Sequence, residues 1–266
     1  MKILMIGDIV GRPGRAIVER SVVPLREELG LDCVIANCEN AADGAGITPG
    51  IADDLFRAGV DVLTSGNHVW RKKEVIELLK LDHRVLRPAN YPDGAPGSGS
   101  TIVETLGGQK VGVLNVMGRV FMEPLDCPFR TAERELQRLR LVTPVIIVDM
   151  HAEATSEKVA MGWFLDGKVS CVFGTHSHIP TADERILPQG TAVITDVGMT
   201  GPYDSVIGRR VDQILERFLS NIPNRAEVAD GNVQLRGLVI EVNPTTGKAQ
   251  SIERIVRTLD APVPNR

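Results

Sequence analysis

Aromatic side chains make up only 4% of this chain, its four cysteines include no CxxC pair, and no apolar run approaches the ~20 residues of a membrane span. Each shortage removes a class of protein. Few aromatics and no block of Lys or Arg, at a net charge of −4, argue against an extended nucleic-acid surface or an anionic-membrane surface. Cys33, Cys38, Cys127 and Cys171 suit neither a disulfide framework nor a structural zinc site, and three of them sit in or beside apolar strand candidates as small hydrophobes. The apolar stretch after Met1-Lys2 stops at Gly7-Asp8, too short for a signal peptide. A soluble cytoplasmic protein is expected. Repeats and low-complexity tracts are also missing, and 43% hydrophobic with 24% charged residues is ordinary globular usage, which excludes disorder.

What is present first is alternation. KILMIGDIV reads as a strand, Ala16 to Leu29 as an amphipathic helix with a kink or break expected at Pro24, and LDCVIANC as a strand. Thr48-Pro49 opens a helix with N-cap and N1 chemistry, VDVLTSG is a third strand, and Trp70 to Lys80 a third helix. This βαβαβ order predicts parallel pairing with right-handed crossovers. Pro88 to Ser100 reads as a loop, and TIVETLGGQKVGVLNVMG as a hairpin turning at Gly107-Gly108. Arg119 to Phe129 shows no period and is either a cover over one end of the sheet or a plain connection. Helices over Thr131 to Leu141 and Glu153 to Leu165 alternate with the strands PVIIVDM, VSCVFG and TAVITDVG. After Ser205 comes a helix with apolar Val206, Ile214, Leu215 and Phe218, then the hairpin VQLRGLVIEVN and AQSIERIV about NPTTG, and a fraying tail APVPNR. The order fits a two-layered β sandwich wrapped by helices, in one domain spanning residues 1–266.

The second feature is where the polar residues fall. Asp8, Glu39-Asn40, Asn67-His68, His151, and His176 with His178 each stand where an apolar run ends. Strands buried on both faces carry polar side chains only where they emerge, so five strands releasing them at one end build a single rim. Asp8 alone reads equally well as a turn residue or a ligand. Glu39 is harder to place without a cation, because a carboxylate ending a buried strand is costly unless partnered. His176 and His178 would share a side if extended, or splay about a pair of ions in a loop. His83 has no partner nearby in sequence and reads as structural. Arg12 and Arg15 read as a solvated helix face more readily than as phosphate contacts. The glycines of GDIVGRPG are wrongly spaced for a dinucleotide fingerprint, and Ser177 has no triad pattern around it.

MKILMIGDIVGRPGR, ANCENAADGAGIT, TSGNHVW and GTHSHIPTAD together resemble the calcineurin-like metallophosphoesterase superfamily, and more closely its YmdB-like branch of bacterial phosphodiesterases. The resemblance runs over nearly the whole chain. It implies a four-layer α/β/β/α sandwich with two mixed β-sheets flanked by helices. It also implies two transition-metal ions, iron or manganese with zinc left open, roughly 3.5 to 4 Å apart. One ion would be held by Asp8, Glu39, Asn40 and His178, the other by a bridging Glu39 with Asn67, His151 and His176. His68 would protonate the leaving group. Two departures from the wider superfamily bear on this set: Val10 stands where DxH has its histidine, with Asn40 as the replacement ligand, and GTHSH carries Thr175 between Gly174 and His176. The implied activity is hydrolysis of a small phosphodiester, 2',3'-cyclic nucleotides such as 2',3'-cAMP. A phosphomonoesterase or 5'-nucleotidase, or a regulatory protein keeping the metals for binding, remains open from the residues. Base rates for soluble enzymes suggest a homo-oligomer.

Overall fold

β1 (Lys2–Ile6) does not run on to residue 10. The computed structural model, which describes residues 1–259, breaks the strand at Gly7 and resumes it as β2 (Asp8–Ile9). A Cβ at Gly7 would overlap the Gly198 carbonyl, so the close crossing of two backbones sets the break. The first helix also differs from its pattern. α1 (Gly11–Leu29) starts five residues earlier than the amphipathic period and runs unbroken through Pro24. Pro24 and Arg20 both lie on the exposed side of the helix, so the carbonyl that proline leaves without an amide partner falls on the solvent side and the helix continues.

β3 (Cys33–Asn37) and β4 (Val62–Thr64) extend β1 in parallel, with α2 (Pro49–Arg57) crossing between them. The Thr48 side chain caps α2 by accepting the Ile51 N–H. The expected helix over Trp70 to Lys80 is two pieces, a 3-10 turn at Val69–Arg71 and α3 (Val75–Leu81). An extended Lys72 separates them, and Trp70 packs edge-to-face on Tyr91 with ring centroids 5.5 Å apart.

The hairpin about Gly107-Gly108 forms as β5 (Ser100–Glu104) and β6 (Lys110–Met117). α4 (Pro128–Leu139), β7 (Ile146–His151), α5 (Thr155–Phe164), β8 (Cys171–Thr175), β9 (Arg185–Ile186) and β10 (Ala192–Ile194) complete this half in the order β5-β6-β7-β8-β10-β9. β11 (Met199–Pro202), β12 (Val233–Val242) and β13 (Ala249–Thr258) return to the first sheet, whose order is β2-β11-β12-β1-β3-β4 with β13 beside β12. α6 (Val211–Ser220) begins after Val206, which lies in a short bridge with Arg209 instead. The APVPNR tail lies outside the described residues.

Strand alternation divides the core into three. Ile3, Met5 and Ile35 meet Val113, Ile147 and Phe173 between the sheets. Leu4, Ile6 and Val34 pack outward on α1 to α3, while Leu114, Ile146 and Val148 pack outward on α4 and α5. The layers are therefore α/β/β/α with two mixed sheets, as expected. Among the described residues, no helix is long and apolar enough to cross a membrane.

Candidate metal centre

The carboxyl ends of β1, β3, β4, β7 and β8 meet at one edge of the sandwich, and the eight residues singled out there form one connected cluster. His151 Nε2 is its hub, lying 3.2 Å from Glu39 Oε2, 3.1 Å from Asn67 Oδ1 and 3.1 Å from His176 Nδ1. Across Glu39, the Asn40 amide nitrogen lies 3.2 Å from Glu39 Oε1 and 3.0 Å from His178 Nε2. Asp8 Oδ2 accepts the His176 backbone N–H at 3.2 Å. His68 donates its backbone N–H to Glu39 Oε2 at 3.1 Å and places Nδ1 2.7 Å from Asn40 Oδ1. The two histidines of GTHSH do splay: both have left-handed backbone, φ 93° at His176 and 65° at His178, and one turns to His151 while the other turns to Asn40. Such φ values are rare outside glycine and gather at functional loops.

Each inward-facing imidazole is tied at its outer nitrogen. His151 Nδ1 lies 2.9 Å from Thr175 Oγ1, whose hydroxyl donates to Asp149 at 2.7 Å. His176 Nε2 meets the Glu153 carboxylate at 3.0 Å, and His178 Nδ1 donates to the Ile207 carbonyl at 2.9 Å. With the outer nitrogens donating, the inner nitrogens of His151, His176 and His178 all face the cluster, which is how metal-ligating histidines are oriented. The rule of polar residues at strand ends does not mark these supports. Asp149 and Asn37, polar residues inside apolar strands, were the visible signal; Asn37 donates to Asp149 at 3.1 Å. Glu153 and the Ile207 carbonyl gave none. Asp196 shapes the GTHSH loop by accepting from the Ser177 hydroxyl at 2.8 Å, and the buried Lys158 neutralises it at 2.6 Å. Ser177 is thus a structural residue and no nucleophile. Arg15 is committed to the Ala41 carbonyl, bracing the loop after Glu39 rather than facing solvent. His83 sits exposed beyond α3, away from the cluster.

The donor set fits cations on three grounds. Asp8 Oδ1 is buried with no hydrogen-bond partner, an expensive state for a carboxylate oxygen. A Cβ at Gly66 would overlap His151 Nε2 and Glu39 Oε2, so this glycine keeps space open between them. Oxygen and imidazole donors from Glu39, His151 and His176 lie within 4.8 Å of one another. Electrostatics agree. Burial pushes Asp8 up to about 6 against the pull of His178 and His151. Desolvation would raise Glu39 as well, but His151 and His68 hold it below the usual carboxylate range. His151, which burial alone would lower, is raised to about 9 by Glu39 and then Asp8, while burial and the neighbouring His151 bring His176 down to about 3. The cluster draws a proton onto His151 to face Glu39, and a cation there would satisfy the carboxylates and the inward nitrogens together.

An α/β/β/α sandwich that gathers carboxylates, carboxamides and imidazoles at the carboxyl ends of its strands is a metallophosphoesterase architecture. Comparison narrows the class: the profile of the YmdB-like protein family matches residues 4–255, and the chain belongs to that family. It is 48% identical over 256 residues, 96% of this chain and 97% of the relative, to the 2',3'-cyclic-nucleotide 2'-phosphodiesterase of Bacillus subtilis. Its structure matches a hypothetical protein of Thermus thermophilus at a TM-score of 0.91, with 42% identity over 97% of this chain and 99% of the other. It matches a phosphatase of Mycoplasma pneumoniae at 0.90, with 35% identity over 97% and 93%.

Proposed function

We propose that the protein is a dinuclear metal-dependent phosphodiesterase hydrolysing small phosphate diesters, foremost 2',3'-cyclic nucleotides such as 2',3'-cAMP. The cage carries the proposal: carboxylates, carboxamides and three inward imidazole nitrogens around Glu39, in a family whose Bacillus subtilis member bears that activity in its name. Asp8, Glu39, Asn40 and His178 hold one ion; Glu39, Asn67, His151 and His176 hold the other. When bound, the ions supply Lewis acidity toward phosphoryl oxygens and lower the pKa of water in the site. Iron or manganese suits this mixed oxygen and nitrogen set, whereas calcium does not. The nearby Cys38 thiol, buried and with its pKa pushed up by desolvation, does not compete as a ligand.

His68 is the proton donor. Its side chain is 28% exposed, at the mouth of the cage, with the ring fixed through Asn40. With Nδ1–H donated to Asn40, a proton on Nε2 passes to the departing ribose oxygen as its bond to phosphorus breaks and the bond from water oxygen to phosphorus forms. Burial lowers the His68 pKa, which makes the imidazolium a readier donor. The product is a nucleoside monophosphate. The active unit spans the whole chain as one domain, works in the cytoplasm, where free thiols such as Cys33, Cys38 and Cys171 persist, and assembles as a homo-oligomer.

Glu39→Gln and His68→Ala, assayed on bis-p-nitrophenyl phosphate and 2',3'-cAMP with elemental analysis of each purified protein, test the assignment. Both variants are expected to lose turnover, and only the first to lose metal as well. Unchanged turnover in either, or a wild-type preference for p-nitrophenyl phosphate over the diester, would overturn it.

A further inference from the structure

The segment leaving β6 borders the cage without contributing a ligand, and it is built with unusual care. Gly118 donates its N–H to the His151 carbonyl at 2.9 Å, so the chain leaves the sheet directly beside the site. The next two amides are fixed by one carboxylate: Arg119 N–H lies 3.2 and 3.1 Å from the two oxygens of Glu157, and Val120 N–H lies 3.3 Å from one of them. Glu157 projects from α5 and is 6% exposed. On the far side, Met122 packs on the outer core and its sulfur accepts the Glu153 N–H at 3.3 Å, and Glu153 in turn holds His176.

Between these two anchors stands Phe121, with a left-handed φ of 61° and 90% of its surface exposed. Neither property favours the folded state. The ring buries almost nothing, and a bulky side chain disfavours this backbone region. A solvated loop tip would normally carry Gly, Asn or Asp at such a position. Here a buried carboxylate and a packed methionine hold an apolar ring out into solvent, one residue from the chain that supports a cage histidine. Strain of this kind gathers where a ligand is met.

We infer that Phe121 is the stacking shelf for the base of a nucleotide substrate, a reading that rests on the cyclic-nucleotide activity proposed above. The phosphorus sits in the cage, the base projects one ribose away, and Phe121 is reached from His176 through Glu153 and Met122. A ring without polar atoms reads the π face that every base presents, so the shelf accepts different bases and favours the larger purines. Because this contact is remote from the reacting bond and equal in ground and transition states, it acts on KM rather than kcat.

The test compares wild type, Phe121→Ala and Phe121→Trp, all loaded with metal, on 2',3'-cAMP and on 1-O-methylribose 2',3'-cyclic phosphate, which has the ring but no base. Phe121→Ala is expected to raise KM for 2',3'-cAMP by about tenfold, within the roughly 5- to 160-fold range of base–aromatic stacking, with kcat held within about twofold. KM for the base-less ring is expected to stay unchanged, and Phe121→Trp to restore the nucleotide KM. Equal effects on both substrates, or none on either, overturn the shelf. Failure of wild type to open either ring sinks the activity reading by itself. Calorimetric binding of adenosine 3'-phosphate against ribose 3-phosphate then decides the shelf, through a tenfold loss confined to the nucleotide or its absence.

Discussion

The two sides of Glu39 are supported differently. Toward β7, His151 is fully buried, its outer nitrogen ends on a Thr175–Asp149 relay locked inside the sandwich, and His176 leans on Glu153. Toward α1, Asp8 keeps one oxygen without a hydrogen-bond partner, Asn40 faces His178 with an uncharged amide, and His178 rests on a loop carbonyl at Ile207. Side chains anchored in a core hold a donor in place more firmly than a carbonyl on a surface loop. The β7 side is therefore the tight half of the cage and the α1 side the adaptable half.

Gly66→Ala should have the largest effect, because its new Cβ would strike both His151 and Glu39, which join the halves. Both ions and all turnover are expected to be lost, as read by elemental analysis and by hydrolysis of bis-p-nitrophenyl phosphate. A variant keeping two ions and full activity would show that the halves are not joined there. Metal removal comes next. A stripped protein should melt about 10 °C lower, from ~4 kcal/mol of ligand stabilisation at a thousandfold excess over Kd and 2–4 °C per kcal/mol at this size. In a stepwise chelator titration the first ion should leave well before the second, whereas simultaneous loss would erase the contrast between the halves. Thr175→Val and Glu153→Gln are expected to do least, weakening one ion about 10- to 100-fold and sparing the other. A loss shared equally between the two ions, followed by competition with a colorimetric chelator, would contradict the assignment of Thr175 and Glu153 to the tight half.

Much of this was legible because buried parallel strands show polar residues only on emergence. Asp8, Glu39, Asn40, Asn67, His68, His151, His176 and His178 could be singled out from that rule, and the layers followed from the βαβ alternation. What stayed hidden had nonlocal causes. Pro24 sits harmlessly in α1 because its turn faces water, a fact about packing against β11 and β12 rather than about the helix itself. The break at Lys72 depends on Trp70 finding Tyr91 some twenty positions on. Glu153 follows His151 closely in sequence, yet its role depends on His176 from another strand. Phe121 looked like part of an unpatterned connection, since its meaning lies in being left outside.

β1 lies in the middle of its sheet, pairing on one side with β3 and on the other with β12, so Lys2 is matched to Glu241 and Ile6 to Gly237. A strand at residues 2–6 thus waits for a partner more than two hundred positions further along the chain. Until residues 233–242 pair, one apolar edge of β1 stays open. Assembly of the centre therefore includes a pairing between distant parts of the chain, and a chain cut short of β12 is expected to lack a competent site even though it carries every proposed ligand.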